Sequence, residues 1–343
     1  MTDYTMSADE IPVDASQKGD KLALTMALDR YDRHFPFFDG TATSPRLEFR
    51  TFQVGMVTPL RDGVRRHGRM LHDHEFDVAE VSLSSYLIAI DKGLPFTAVP
   101  VFPRRLFSQS QMWVRSDSEI VHPRQLAGKK VLLNSLQTTL SLLARGDLKF
   151  EYEVPLESIS WFTIGRDEIP VRLKDGVSIE HLPEGRDPGQ CLARGEVDAI
   201  FLPHQPRSIT SGTVPARRLF PDVREEERRY FEKNRFFPIM HILAIRKDLA
   251  VSNSWLPREL METWRRAADI ARSYYEDPNW SIMPWARHEF EQEREALSGE
   301  LWPIGLAGNR HNLERMIEYS FDQGFIRRKL TPEELIFDEV HDT

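Results

Sequence analysis

The chain has 343 residues, one cysteine, and 45 basic against 53 acidic side chains, for a net charge of −8. That length suggests about two domains or one large α/β unit, and 41% hydrophobic with 29% charged residues is a globular composition, not a disordered or fibrous one. One cysteine excludes a disulfide framework, the acidic balance argues against general nucleic-acid or membrane binding, and no apolar run reaches the roughly 18 residues of a spanning helix.

Residues 1–20 are acidic and polar, without the apolar core of a secretory signal, and are read as a flexible tail. With the lone cysteine, this leads to the expectation of a cytoplasmic protein. Structure is predicted to begin with an apolar run at 22–28, a buried strand. An alternating strand follows at 47–52, then a basic helix over 59–71 and a strand at 76–81. Leu83, Tyr86, Leu87 and Ile90 share one helical face, so 82–91 is an amphipathic helix with Ser82 as N-cap. The next strand is 96–102.

The same grammar continues. Strands are predicted at 111–115, 130–133, 178–182, 198–202 and 239–246, with helices from Thr138 and over 188–194. Beyond them the pattern is helical, over 257–276, 285–298 and 309–323. Strands alternating with helices argue for an α/β architecture with a largely parallel sheet. There is no internal repeat and no Gly/Ser linker, so the chain is expected to cross between lobes through its sheets, with a cleft between them as binding site.

Several segments carry a family likeness: Phe-Asp-Val-Ala-Glu-Val-Ser-Leu-Ser-Ser-Tyr-Leu at 76–87, Pro-Val-Phe-Pro-Arg-Arg-Leu-Phe at 100–107, Leu-Phe-Pro-Asp at 219–222, Phe-Pro-Ile-Met-His at 237–241, and Trp-Pro-Ile-Gly at 302–305 with Asn309 and Arg310. In order and spacing they resemble the 4,5-dihydroxyphthalate decarboxylase family, itself akin to type II periplasmic solute-binding proteins, over residues 21–330. A run from Pro123 to Val131 resembles one common to solute-binding proteins generally. The resemblance implies a two-lobed type II periplasmic-binding-protein-like fold with discontinuous lobes plus C-terminal helices, lobe I being 21–108 with 240–343 and lobe II 109–239. It implies cytoplasmic, cofactor-independent decarboxylation of a dihydroxyphthalate to a dihydroxybenzoate. The likeness departs at Ser108 and Gln109, where the family pattern carries Arg and His. If those positions reach the substrate, the substrate would differ.

Such a reaction needs an acid at the ring carbon, an acceptor at the phenol and cations for the carboxylates. His241, in the best-matching segment, is assigned proton transfer, since an imidazole exchanges protons near neutral pH. His204 follows a strand end, where open α/β sheets place ligands. Glu80 is expected to orient the phenols or accept a phenolic proton, or simply to pair with a cleft arginine. Arg33, Arg105 and Arg207 at strand ends, with Arg310 opening a helix, are the candidate carboxylate clamps. Ser82, Ser84 and Ser85 at a strand–helix junction, with Thr138 at another predicted helix start, complete the substrate-binding set.

His72, His74 and Glu75 are read as a surface turn, since ligands must converge in threes or fours and no second cluster is evident. Cys191 is expected buried, and the tryptophans at 255, 264, 280, 285 and 302 are expected in the core. Dinucleotide, Walker and nucleophile-elbow motifs are missing from the sequence. The expected partner is a small aromatic carboxylate, with neither cofactor, metal, nucleic acid nor membrane, and with a homo-oligomer left open. The rival reading is a non-catalytic binding protein for an aromatic acid or a thiamine-precursor-like ligand, because fold alone does not decide function. A ligand-sensing regulatory domain ranks below both, since no output module is apparent.

Overall fold

The computed structural model describes residues 21–56, 58–171, 177, 179–183, 185–297 and 299–343. The tail expected at 1–20, Ser178 of one predicted strand and Ser298 of one predicted helix lie outside the described residues. In chain order the strands are β1 (Leu22–Leu28), β2 (Leu47–Gln53), β3 (Val78–Ser82), β4 (Phe96–Arg105), β5 (Met112–Arg115), β6 (Lys130–Leu133), β7 (Ser160–Thr163), β8 (Ile179–His181), β9 (Ala199–Phe201), β10 (Ala216–Arg218) and β11 (Ile239–Arg246).

They form two mixed sheets, ordered β2-β1-β3-β11-β4 and β10-β5-β9-β6-β7-β8. The first sheet therefore takes its last strand from far along the chain. The chain passes between the sheets twice, from β4 to β5 and from β10 to β11. β11 runs antiparallel to both neighbours, whereas β1, β2 and β3 are mutually parallel. β3 and β11 are central and buried almost throughout, so they read as continuous apolar runs with little alternation. Each holds one titratable side chain in its interior: Glu80 in β3 and His241 in β11.

Several local expectations change. The stretch read as helix over 59–71 is helical only at Arg66–Leu71. Before it, Leu60 and Gly63 pair across a tight turn and Arg65 adopts φ 64°, a left-handed value no right-handed helix can include. Ser82 occupies the N-cap position of helix Leu83–Asp91, but its hydroxyl makes no cap; it bonds the Thr139 hydroxyl at 2.7 Å, a residue held by the other sheet's helix Thr139–Phe150.

Helix Val223–Asn234 carries no apolar periodicity in sequence. It buries only Tyr230 and Phe231 and is laced by Arg228 to Glu225 and Glu232 and by Arg229 to Glu226, pairs at the three- and four-residue spacings that meet on a helix surface. Trp264 packs into the core against Phe37 from helix Leu256–Tyr274, and Cys191 is buried. Trp280 and Trp285, expected in the core, are exposed, because helix Ala286–Ala296 beside them buries none of its residues among those described. No helix among the described residues is long and apolar enough to cross a membrane.

Candidate active site

A cavity of about 410 Å³ lies where the two sheets face each other, lined by residues of both. Its walls come from segments that follow β3, β6, β7 and β9, the carboxyl ends of parallel strands. Strand register explains what it gathers. His241 of β11 stands opposite Ser82 of β3, and Glu80 lies two residues back on the same face. On its other side His241 pairs with Arg104 of β4, across an irregular register. Pro100 and Pro103 within β4 lack the N–H groups a regular ladder would need, which accounts for the break.

The imidazole of His241 is held from behind. Its Nδ1 bonds Glu80 Oε1, which leaves Nε2 as the ring nitrogen for the cavity. Glu80 is fully buried; its Oε2 accepts the Asp29 N–H at 3.0 Å and lies 3.5 Å from Arg66 Nη2. Arg66 is buried too, donating through Nε to the Glu80 carbonyl at 2.8 Å and through Nη1 to Asp29 at 3.1 Å. Burial alone would raise the Glu80 carboxyl, but Arg66, His241 and the bond to His241 outweigh it and hold the group well below the usual carboxylate range. His241 moves the other way. Burial, with Arg104 and Arg66, pushes it down to about 4 against the pull of Glu80, so it is neutral at pH 7.

Cations and dipoles surround this ring. Arg104, Arg166 and Arg186 line the cavity, with Glu168 as the acid among the lining residues. Arg104 is steadied by the Pro203 carbonyl at 3.3 Å, and Arg186 pairs with Glu196. Helices Leu83–Asp91 and Thr139–Phe150, one from each lobe, begin at the cavity wall, so their positive ends favour an anion there. The junction is stitched across the lobes: Thr139 accepts the Ser84 N–H at 3.2 Å, and the Ser85 hydroxyl donates to Gln137 at 3.1 Å. Gln137 in turn donates to the Ile169 carbonyl at 2.5 Å, which fixes the floor.

The structure sorts the predicted residues. His241, His204, Ser82, Ser85 and Thr138 line the cavity together. His204 sits in the loop after β9, its imidazole pushed down by burial and by Arg104. Glu80 lies behind His241 and out of the cavity, so it positions the imidazole and cannot reach a phenol. Ser84 is fully buried on the opposite face of its helix turn, away from the lining.

None of the four expected clamp arginines lines the cavity. Arg33 faces a separate aromatic cavity and pairs with Asp32 at 3.0 Å. Arg105, adjacent to Arg104, points to the other face of β4, where it donates to the Phe237 carbonyl at 2.8 Å and to Asn309. Burial lowers it to about 9. Arg207 is exposed on the turn Arg207–Thr210, and Arg310 pairs with Glu333. Arg104, Arg166, Arg186, His67 and Glu168 are the charged or imidazole lining residues that sequence reasoning passes over. Strand parity carries a signal for one of them: Arg104 and Arg105 cannot share a face, and only one can meet His241.

Ser108 and Gln109, where the family likeness breaks, do not reach the cavity. Ser108 donates at 2.7 Å to the buried Asp147, which also accepts from Tyr230 and Tyr319, and Gln109 donates at 3.0 Å to Tyr152, which donates to Glu226. Burial raises the Asp147 carboxyl to about 6. The histidines at 72–75 stay apart as a surface turn: His72 bonds the Glu168 carbonyl at 2.5 Å, and Glu75 bonds Arg69.

The chain is 32% identical over 327 residues to a 4,5-dihydroxyphthalate decarboxylase of Comamonas testosteroni, covering 92% of this chain and 96% of the relative. It is 30% identical over 209 residues to a 4,5-dihydroxyphthalate decarboxylase of Pseudomonas putida, covering 59% of this chain and 78% of the relative. No protein-family model matches the sequence. Among solved structures, the periplasmic aliphatic sulphonate binding protein SsuA of Escherichia coli superposes with a TM-score of 0.57 at 12% identity, covering 94% of this chain and 99% of that one. The alkanesulfonate-binding protein SsuA of Xanthomonas axonopodis pv. citri gives 0.55 at 13% identity, covering 93% and 99%. At such identities these two establish the fold, that of the periplasmic binding proteins.

Proposed function

The chain belongs to the 4,5-dihydroxyphthalate decarboxylase family, and on that premise we propose that it is a carboxy-lyase acting on a hydroxylated aromatic dicarboxylate, with 4,5-dihydroxyphthalate the first choice and protocatechuate and CO2 the products. The observation that carries this reading is the buried Glu80–His241 pair at the foot of a cavity bordered by three arginines. A carboxylate buried behind an imidazole fixes its tautomer and compensates an imidazolium, which is what proton transfer at this site requires.

Direct loss of CO2 from an arene leaves an aryl carbanion. A phenol para to the carboxylate avoids it. Loss of the phenolic proton feeds charge into the ring, an acid protonates the carbon bearing the carboxylate, and the dienone so formed expels CO2 and rearomatises. His241 handles the proton delivered to that carbon, with Glu80 holding its Nδ1–H and compensating the imidazolium. Arg104, Arg166 and Arg186 bind the two carboxylates, helped by the two helix N-termini. Ser82, Ser85 and Thr138 orient the hydroxyls, and His204 closes the rim.

The test is incubation of the purified chain with 4,5-dihydroxyphthalate, following CO2 release and protocatechuate by chromatography. Folded protein that leaves the compound unchanged, yet is thermally stabilised by it, would replace this reading with a binding protein.

A further inference from the structure

Ring protonation needs two proton sites at once. One group takes the phenolic proton while another supplies a proton to the ring carbon, and a single imidazole cannot do both in one step. His67, on the short helix Arg66–Leu71, stands beside His241 in the cavity wall with ring centroids 5.1 Å apart, edge to face. Both rings line the one cavity, so a single substrate can meet both. His67 is only 6% exposed, and its Nε2 is buried with no hydrogen-bond partner among the described residues. A buried imidazole kept for packing is normally tied through a ring nitrogen to a carbonyl or carboxylate, as His34 is through Nδ1 to the Asp29 carbonyl at 2.8 Å, although its Nε2 is unpartnered too.

Charge divides the two rings. Glu80 bonds His241, whereas no carboxylate bonds His67 among the described residues. His67 is faced by Arg66 on its own helix, Arg104 on β4 and His241 on β11; the acids on surrounding elements are Glu80 on β3 and Glu168 in the cavity lining. Burial first, then His241 and Arg66, keeps the His67 imidazole well below its usual range. Two imidazoliums this close repel. With an anionic substrate bound, which favours the charged form, the pair holds one proton at most, and the ring backed by a carboxylate takes it.

We propose that His67 is the general base of the reaction, taking the phenolic proton while His241 protonates the ring carbon; this rests on the decarboxylase reading above. The O–H bond breaks to His67 and the oxygen's electron pair forms a C=O. In the same step the para ring carbon forms a C–H bond with the proton from His241, so the two rings never carry a proton each. The C–CO2 bond breaks next, its electron pair restores the aromatic ring and the phenolate, and CO2 leaves. The phenolate recovers its proton from His67, and His241 is reloaded from solvent. One proton is consumed per turnover, and no oxidant or reductant is involved.

The experiment compares wild type, His67→Gln, His67→Asn and His241→Asn on two substrates: 4,5-dihydroxyphthalate, and a nitro-substituted analogue whose phenol is already ionised at the assay pH. On the parent, the His67 variants are expected to lose about 100-fold in kcat with KM within about threefold. On the ionised analogue their deficit relative to wild type shrinks below about tenfold, while that of His241→Asn persists. A His67 variant near wild-type kcat overturns the proposal. So does a deficit equal on both substrates in a protein whose circular dichroism is unchanged, since that marks a structural role. If neither variant folds, the wild-type pH profile decides. The acid-side fall in kcat/KM should follow the His67 imidazole on the parent and the phenol's own ionisation on the analogue, and a fall at the same pH on both overturns the proposal. Wild type inert towards both compounds would instead overturn the decarboxylase reading, and this proposal with it.

Discussion

Two cavities of similar size border the end of β4, and they differ in what their polar groups are left to do. The interlobe cavity, about 410 Å³, presents His67, His204, His241 and three arginines, with the second layer of contacts made behind them. The other, about 500 Å³, has walls of Trp264, Tyr275, Phe290 and Trp302 and only Arg33 and Arg272 as cations. The Arg33 guanidinium is largely committed: Nε donates to the Pro103 carbonyl at 2.5 Å, Nη1 to Asp32 at 3.0 Å, and its plane lies over Tyr31 and Trp302. Asp32 also accepts the Tyr275 hydroxyl at 2.5 Å. Volume therefore does not separate a reactive site from a packing gap. Buried polar groups that are supported on one side and open on the other do.

The sharpest test of that contrast is a pair of variants. His241→Asn is expected to lower kcat by about 10²–10⁴-fold, whereas Arg33→Ala should leave kcat and KM within about threefold; comparable losses at both would erase the distinction. Next comes the support behind the imidazole. Glu80→Gln leaves Arg66 with Asp29 as its remaining charged partner, so a loss of about 3–5 kcal/mol in denaturant unfolding is expected. A variant as stable as wild type would show that the Glu80 charge does not hold this layer together. Arg104→Ala removes a charge-assisted contact worth about 1.5–3 kcal/mol and should weaken substrate binding by roughly 10–150-fold, read as KM or by calorimetry.

The fourth prediction is a pH dependence. His241 lies at about 4 and is neutral at pH 7. A bound dianion favours its charged form, so binding takes up a proton between about 4 and the raised bound-state value. Affinity should rise as pH falls through that window and level off below it. Calorimetry at pH 7 in buffers of different ionisation enthalpy reads the uptake directly, and buffer-independent heats would refute it. The smallest effect is expected at the buried network. Ser108→Ala deletes one donor to Asp147 and should cost about 1 kcal/mol of stability without moving KM. A change in KM would mean that the network reaches the cavity.

Much of this was legible in the chain. The apolar runs that became β1, β6 and β11 announce themselves because buried strands need uninterrupted Val, Ile and Leu. His241 stood out because it closes the best-matching segment and an imidazole exchanges protons near neutral pH, and Glu80 because it sits at a strand–helix junction. Helix Val223–Asn234 was not legible, since its stability comes from ion pairs and two buried aromatics, which leave no apolar period. Trp280 and Trp285 misled for the opposite reason: large aromatic side chains suggest a core, yet only packing partners can supply one.

By itself the sequence determined the alternation of strands and helices, the family likeness and the imidazole in the central strand, because these depend on local pattern and side-chain chemistry. Tertiary structure decided which groups share the cavity. Arg104 and Arg105 are adjacent in sequence and equivalent in chemistry, but strand pleating sends them to opposite faces, and the proline-broken register of β4 sets Arg104 beside His241. Glu80 moved from reacting group to support for the same reason. Its distance from the substrate depends on a strand pairing between residues 161 positions apart, which no local pattern encodes.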